Sequence, residues 1–182
     1  APRYRELQMR IKSLHLRNFG PISDLTLEPR FSAAGNSIPI AIVGQNGAGK
    51  SLALSVLLDA MTEARRASFS EIQEVNHNEY LKISSKNHIQ NAAGYSPASV
   101  NISTGNGEIA FNEVVSKISH EDFVAKNPMP ELMPTLQGSE FPTSGFFKNI
   151  TVNDQQKKDI RETEFLYFPY FRYEASYWMN ET

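Results

Sequence analysis

Residues 40–51 read Ile40-Ala41-Ile42-Val43-Gly44-Gln45-Asn46-Gly47-Ala48-Gly49-Lys50-Ser51. An apolar run feeds straight into G-x-x-x-x-G-K-S, the pattern of a phosphate-binding loop. Gly44, Gly47 and Gly49 let the backbone turn tightly and aim successive N–H groups at one anion. The amides of Gln45, Asn46, Ala48 and Leu52 extend that cradle. Lys50 supplies a point charge for the β- and γ-phosphates, and the Ser51 hydroxyl suits Mg²⁺. Leu54, Leu57, Leu58 and Met61 then recur at i, i+3, i+4 and i+7, the spacing of one helix face. The helix predicted from about Lys50 to Ala67 turns its positive end toward the anion.

Around this core the chain is of ordinary composition. Its 182 residues carry a net charge of −2, so no global field points to nucleic acid or to a membrane surface. It has no cysteine, which excludes disulfides and thiolate metal sites. No apolar run approaches the roughly 18 residues that span a bilayer, and the first residues lack the apolar stretch of a secretory signal. The expected location is cytoplasmic, with no membrane partner. The chain does not open on Met, which points to a processed or trimmed start.

Residues 9–19 read as a strand whose apolar positions, Ile11, Leu14 and Leu16, break alternation near Lys12 and Ser13. The break predicts a bulge. After the Gly20-Pro21 turn, residues 22–28 read as a second strand, paired antiparallel with the first. Residues 38–43 are apolar on both faces, as a central strand buried under helices should be. Residues 99–103 and 108–111, joined by Thr104-Gly105-Asn106-Gly107, predict a hairpin. That Gly-rich tip is no second phosphate loop, because no Lys-Ser and no helix follow. A further short strand is expected at 80–83, and a charged, exposed helix from Asn153 to Glu164.

The remaining stretches leave alternatives open. The basic start, Arg3, Arg5, Arg10 and Lys12, is either a nucleic-acid contact or a solvated edge that discourages strand pairing. Arg65 and Arg66 suit the negative end of the helix. His77 has no partner at metal-ligand spacing and reads as a surface residue. Three prolines in 127–134 forbid regular structure there, so 116–145 reads as a loop, lid or insertion. The aromatic end, from Phe165-Leu166-Tyr167-Phe168 on, opens like a buried strand. Its Tyr170, Tyr173, Tyr177 and Trp178 suit either base stacking or packing against a core or partner. Arg172 and Glu174 share a strand face, where they would pair or hold a phosphate.

The run Leu16-Arg17-Asn18-Phe19-Gly20, the short return strand and Ile42-Val43-Gly44-Gln45-Asn46-Gly47-Ala48-Gly49-Lys50-Ser51 together resemble the opening of ABC-type ATPase heads. The likeness is specific over residues 9–62 and points to the SMC, RecF, OLD and double-strand-break-repair branch. The Phe-Pro-x-x-Arg-x-Glu segment is faintly similar to a strand in AAA-type ATP-binding proteins of bacterial anti-phage systems. The resemblance implies an α/β fold of the ABC-type P-loop NTPase kind, a mixed sheet core carrying an antiparallel β-subdomain. It implies ATP and Mg²⁺ as cofactors, with Ser51 at the metal. It also implies homodimers that pair head to head over two nucleotides, and it places Arg17 and Asn18 near adenine and ribose. A Gln is expected to approach Mg²⁺, with Gln137, Gln155 and Gln156 as the candidates.

The carboxylates of hydrolysis are not visible. Val56-Leu57-Leu58-Asp59 lies inside the phosphate-loop helix, and Glu121-Asp122 has no apolar strand ahead of it. No Leu-Ser-Gly-Gly-Gln-like signature and no switch His are found, and Leu136-Gln137-Gly138-Ser139-Glu140 is too divergent to count. In the family those parts lie far downstream. The expectation is the N-terminal portion of one ATPase head, divided as 1–67 (hairpin, loop and helix), 68–118 (β-lobe), 119–164 (loop and helical insertion) and 165–182 (aromatic segment). Such a piece would bind nucleotide and would not hydrolyse it efficiently alone. Within the family, ATP-driven head pairing would gate a DNA-directed effector such as a nuclease, in phage defence or DNA repair. The competing reading is a non-catalytic nucleotide-sensing or scaffold module with ATP as a structural ligand. A small-molecule kinase fits less well, because the hairpin precedes the loop.

Overall fold

A computed structural model describes residues 9–33, 38–69, 86–126 and 146–163. Five strands form one sheet: β1 (Arg10–Phe19), β2 (Ile22–Leu27), β3 (Tyr95–Thr104), β4 (Gly107–Ser116) and β5 (Phe146–Ile150). Their order is β2-β1-β3-β4-β5, and every pairing is antiparallel. Two of the pairings follow from connections of two residues, Gly20-Pro21 and Gly105-Asn106. A link that short can join only antiparallel neighbours, since a parallel pair needs a crossover of a dozen residues or more. The register of β1 against β3 shifts between Ile11 and Ser13, where the broken alternation predicted a bulge.

This architecture corrects the expected fold class. The sheet is open and wholly antiparallel, not the mixed sheet of an ABC-type α/β core. Residues 38–43, predicted as its buried centre, belong to no strand. Ile38, Ile40 and Ile42 are 45%, 48% and 36% exposed, and Val43 is 90% exposed. An apolar run tells that a segment prefers burial. It cannot supply the neighbour that would bury it.

One face of the sheet is apolar because period-2 alternation puts every second residue on it. Leu14 sits across from Val100, and Val100 from Phe111. Leu16 sits across from Ala98, and Ile102 from Ile109. Against this face lie α1 (Lys50–Ser68) and α3 (Asp154–Glu162). The helix α1 turns inward a stripe of Ala53, Val56, Ala60 and Ala64. These small side chains let it lie close to the sheet. Leu54, expected on the inner face, is 50% exposed instead. The other face carries a polar rung, Thr26, His15, Ser99, Asn112 and Asn149, one residue from each strand. One end of that face is covered by α2 (His120–Lys126), which lies within a stretch predicted as irregular. Its Phe123 packs with Val114, and Tyr95 meets Phe123 edge to face at 5.3 Å.

Polar contacts fix the helices on the sheet. Glu63 of α1, nearly buried, accepts from Lys148 of β5 at 2.6 Å and from Arg66 at 2.8 Å. The start of α3 is closed by a capping box. The Asn153 side chain accepts from the Gln156 N–H, and the Gln156 Oε1 accepts from the Asn153 N–H, both at 2.9 Å. The Gln156 Nε2 donates to the Glu108 carbonyl at 2.9 Å. The readings at Arg3 and Arg5, His77, 80–83, 127–134, Gln137 and 165–182 lie outside the described residues.

Candidate functional site: the Gly44–Leu52 loop

The loop is held from below by the β1–β2 turn. Gly49 stands at φ 89°, a left-handed conformation that only glycine enters without strain. It is also the residue against which the turn closes, because a Cβ there would come within 2.7 Å of Ile22 Cγ1 and 3.0 Å of Pro21 Cγ. On the other side of the turn, a Cβ on Gly20 would lie 2.5 Å from Leu52 Cδ1. Turn and loop therefore share one surface, and the hairpin sets where the loop sits. The turn is in turn anchored to Ile89, which bridges Phe19, and to His88, whose carbonyl accepts from the Gly20 N–H.

Above the turn the loop curls through Gly47 at φ 81°, where a Cβ would meet nothing within 4 Å. The Ala48 N–H donates to the Gln45 carbonyl at 3.2 Å, and the Ala53 N–H to the Gly49 carbonyl at 2.9 Å, which starts α1. The Lys50 Nζ donates to the Gly44 carbonyl at 2.9 Å and the Gln45 carbonyl at 2.7 Å. An ammonium has three donors. Two are fixed to the loop, and the third is left for a ligand.

A hollow of about 350 Å³ opens here, lined by Asn46, Gly47, Gly49, Lys50 and Ser51, with Pro21 and Leu52 at its edge. Among the described residues no acidic side chain lines it. The helix behind it begins at Gly49 with no side-chain cap and no acidic residue in its first turn. The first N–H groups of a helix need acceptors, and these have no side-chain acceptor of their own. Open amides, one cation and a positive helix end make a site for a phosphate chain. The residues present fit ATP on that ground. Exposed Ser51 also fits as one ligand of Mg²⁺. Among the described residues no cluster of three or more His, Asp or Glu could hold a metal, so the ion would share Ser51 with the phosphates.

The other expected site residues fall as follows. Gly44 and Gln45 serve through their carbonyls, which hold Lys50. Ala48 faces a neighbouring hollow with Ile42, Val43 and Asp24. Arg17 is tied to Asp24 at 2.8 Å, and Asn18, at φ 54°, bends the end of β1. Its carbonyl accepts from the Gln90 N–H at 3.0 Å. Neither Arg17 nor Asn18 lines the anion hollow. Gln156 is buried, and both ends of its amide are used in the α3 cap and at β4. Of the three glutamines named as candidates for Mg²⁺, Gln156 is thus committed elsewhere, Gln155 is exposed and Gln137 lies outside the described residues. Sequence reasoning missed Pro21 and Ile22 as the residues that seat the loop. The Gly-Pro dipeptide was legible as a turn, but its contact with Gly49 spans the whole 22–48 interval.

No helix among the described residues is long and apolar enough to cross a membrane. No curated protein matches the sequence. A family model for an AAA domain matches residues 13–167. That span takes in the seated loop, both helices packed on the apolar face, most of β1 and all of β2 to β5, and the chain belongs to the AAA domain family.

Proposed function

We propose that the chain binds ATP through residues 44–52, with Mg²⁺ at Ser51, as the nucleotide-binding segment of an SMC/RecF/OLD-like ATPase. The triphosphate lies across the amides of Asn46 to Ser51, and Lys50 turns its third N–H to the β- and γ-phosphates. Nucleotide then draws two heads together, and their pairing gates a DNA-directed effector such as a nuclease, in phage defence or DNA repair. Arg17 and Asn18 lie on the base side of the nucleotide. The observation that carries the nucleotide reading is the uncapped start of α1 beside Lys50, in a hollow with no acidic lining. The branch and the effector rest on the resemblance of residues 9–62.

A second reading keeps the ligand and drops the turnover: ATP is a structural or sensing ligand of a scaffold. It is favoured by the same lining, which among the described residues offers a cation and a hydroxyl but no carboxylate to orient an attacking water. Titration of a fluorescent ATP analogue into the wild-type chain and Lys50→Ala tests the common core. Binding is expected in the first and at least a hundredfold weaker binding in the second. Equal affinity would remove the assignment. Phosphate release by the parent protein separates the two readings.

A further inference from the structure

The β1–β2 turn that seats the phosphate loop is itself gripped by residues 86–90, a short 3-10 turn (Lys86–His88) and the two residues after it. The His88 carbonyl accepts from the Gly20 N–H, and the Gln90 N–H donates to the Asn18 carbonyl at 3.0 Å. Between them buried Ile89 bridges Phe19. The Gln90 Nε2 reaches across to the Ser23 Oγ at 3.4 Å. The bracket thus holds the turn by both of its strands. Asn18 and Gly20 stand at φ 54° and 56°, and a left-handed residue that bears a Cβ persists where its neighbours hold it. The other end of the bracket is fixed to the sheet. The Ala93 N–H donates to the Gln90 carbonyl at 3.0 Å, and the Gly94 carbonyl, just before β3, accepts from the Lys117 N–H, just after β4, at 2.7 Å.

His88 acts here through the shape of its ring. The ring meets Phe19 edge to face at 5.2 Å, a favourable aromatic geometry. Its Nδ1 is buried with no hydrogen-bond partner among the described residues, which costs stability, so packing is what the side chain contributes. Phe19 is 1% exposed and precedes Gly20. On the loop side of the turn, a Cβ on Gly20 would lie 2.5 Å from Leu52 Cδ1, and Leu52 edges the anion hollow. A line of contact therefore runs from His88 through Phe19 and Gly20 to the loop. We propose that residues 86–90 position the phosphate loop for its ligand by fixing the β1–β2 turn, with His88 as a positioning residue that acts through Phe19 and Gly20. His88 lines neither hollow beside the loop, so it does not touch the ligand. This role rests on the nucleotide reading above. Coupling between two sites is reciprocal, so a bound nucleotide also tightens the bracket.

The test uses the full chain. His88→Ala removes the ring and is expected to weaken binding of the fluorescent ATP analogue about fivefold or more. His88→Phe keeps a ring for the edge-to-face contact and is expected to restore wild-type affinity. Asn153→Ala weakens the start of α3 and no contact of the turn, and should leave affinity unchanged. Hydrogen exchange followed by NMR gives the reciprocal readout. Saturating analogue is expected to slow exchange of the Gly20 N–H about fivefold or more, and that of the Lys157 N–H, in the first turn of α3, clearly less. Unchanged affinity in His88→Ala, no rescue by His88→Phe, equal weakening in Asn153→Ala, or equal slowing at Gly20 and Lys157 would each overturn the proposal. Absence of binding in the wild type would remove the nucleotide reading instead. The bracket is then judged by Gly20 exchange alone: a faster rate in His88→Ala upholds it, and an unchanged rate overturns it.

Discussion

Two helix starts in this chain, those of α1 and α3, solve the same problem in opposite ways. Each presents N–H groups that no turn of helix can satisfy. At α3 the chain answers itself: Asn153 and Gln156 cap each other, and Asp154 stands in the first turn. The same contrast separates the two glycine-rich turns. At the β3–β4 tip the Asn106 N–H donates to Asp159 at 3.0 Å, and the Asn106 side chain holds both oxygens of that carboxylate, at 2.8 and 3.0 Å. That turn already has its anion, built into α3. The loop at 44–51 has Gly49 in place of a cap, no acid behind it and a lysine in front of it. The α3 start and the β3–β4 tip have their donors satisfied from within, whereas the α1 start has no side-chain cap.

Four substitutions break or sharpen that contrast. The largest effect is expected from Gly49→Ala, which forces a left-handed residue to carry a Cβ into Pro21 and Ile22. A loss of roughly 2–4 kcal/mol in urea unfolding should accompany loss of nucleotide binding. A wild-type midpoint would mean that the turn does not seat the loop. Asp159→Ala strips the exposed Asn106 donors of their charged acceptor, at a cost of about 1.5–3 kcal/mol. Nucleotide affinity should not move, and a change there would show that the closed turn and the open loop are coupled. Asn153→Ala opens the α3 cap for about 1 kcal/mol, read as a lower melting temperature with binding intact. The smallest shift is expected from Ser51→Asp, which gives α1 the internal anion it lacks. It should stabilise the chain by about 0.5 kcal/mol and, in the absence of metal, weaken binding of the ATP analogue. Stabilisation without weaker binding would separate the helix start from the nucleotide site.

Much of this was legible in residues close together in the chain. The loop, the helix after it, the bulge in β1, both hairpins and the existence of helix α3 follow from spacings of two to four residues and from Gly, Pro and Asn at turns; α3 was expected to be exposed, yet it buries Gln156, Asp159 and Ile160. The misses share another cause. Leu54 was placed inward and lies outward, because the helix chose its small-residue stripe once a sheet was there to meet it. Gln156 was one of three glutamines named as candidates for the metal, and its side chain donates to the Glu108 carbonyl, 48 positions away. The apolar 38–43 segment was expected at the centre of a mixed sheet, yet β3 and not this segment pairs with β1.

The sequence alone determined what each short stretch can do: a glycine's freedom at 47 and 49, a charge at 50, an alternation that makes one sheet face apolar. Those properties reside in single residues and their immediate neighbours. Only the tertiary structure decided which stretches meet, that Pro21 and Ile22 close on Gly49, that Asp159 fills one glycine turn and that no described acidic side chain fills the other. Contacts between residues 25 to 90 positions apart depend on how every intervening element packs, and no local pattern carries that information.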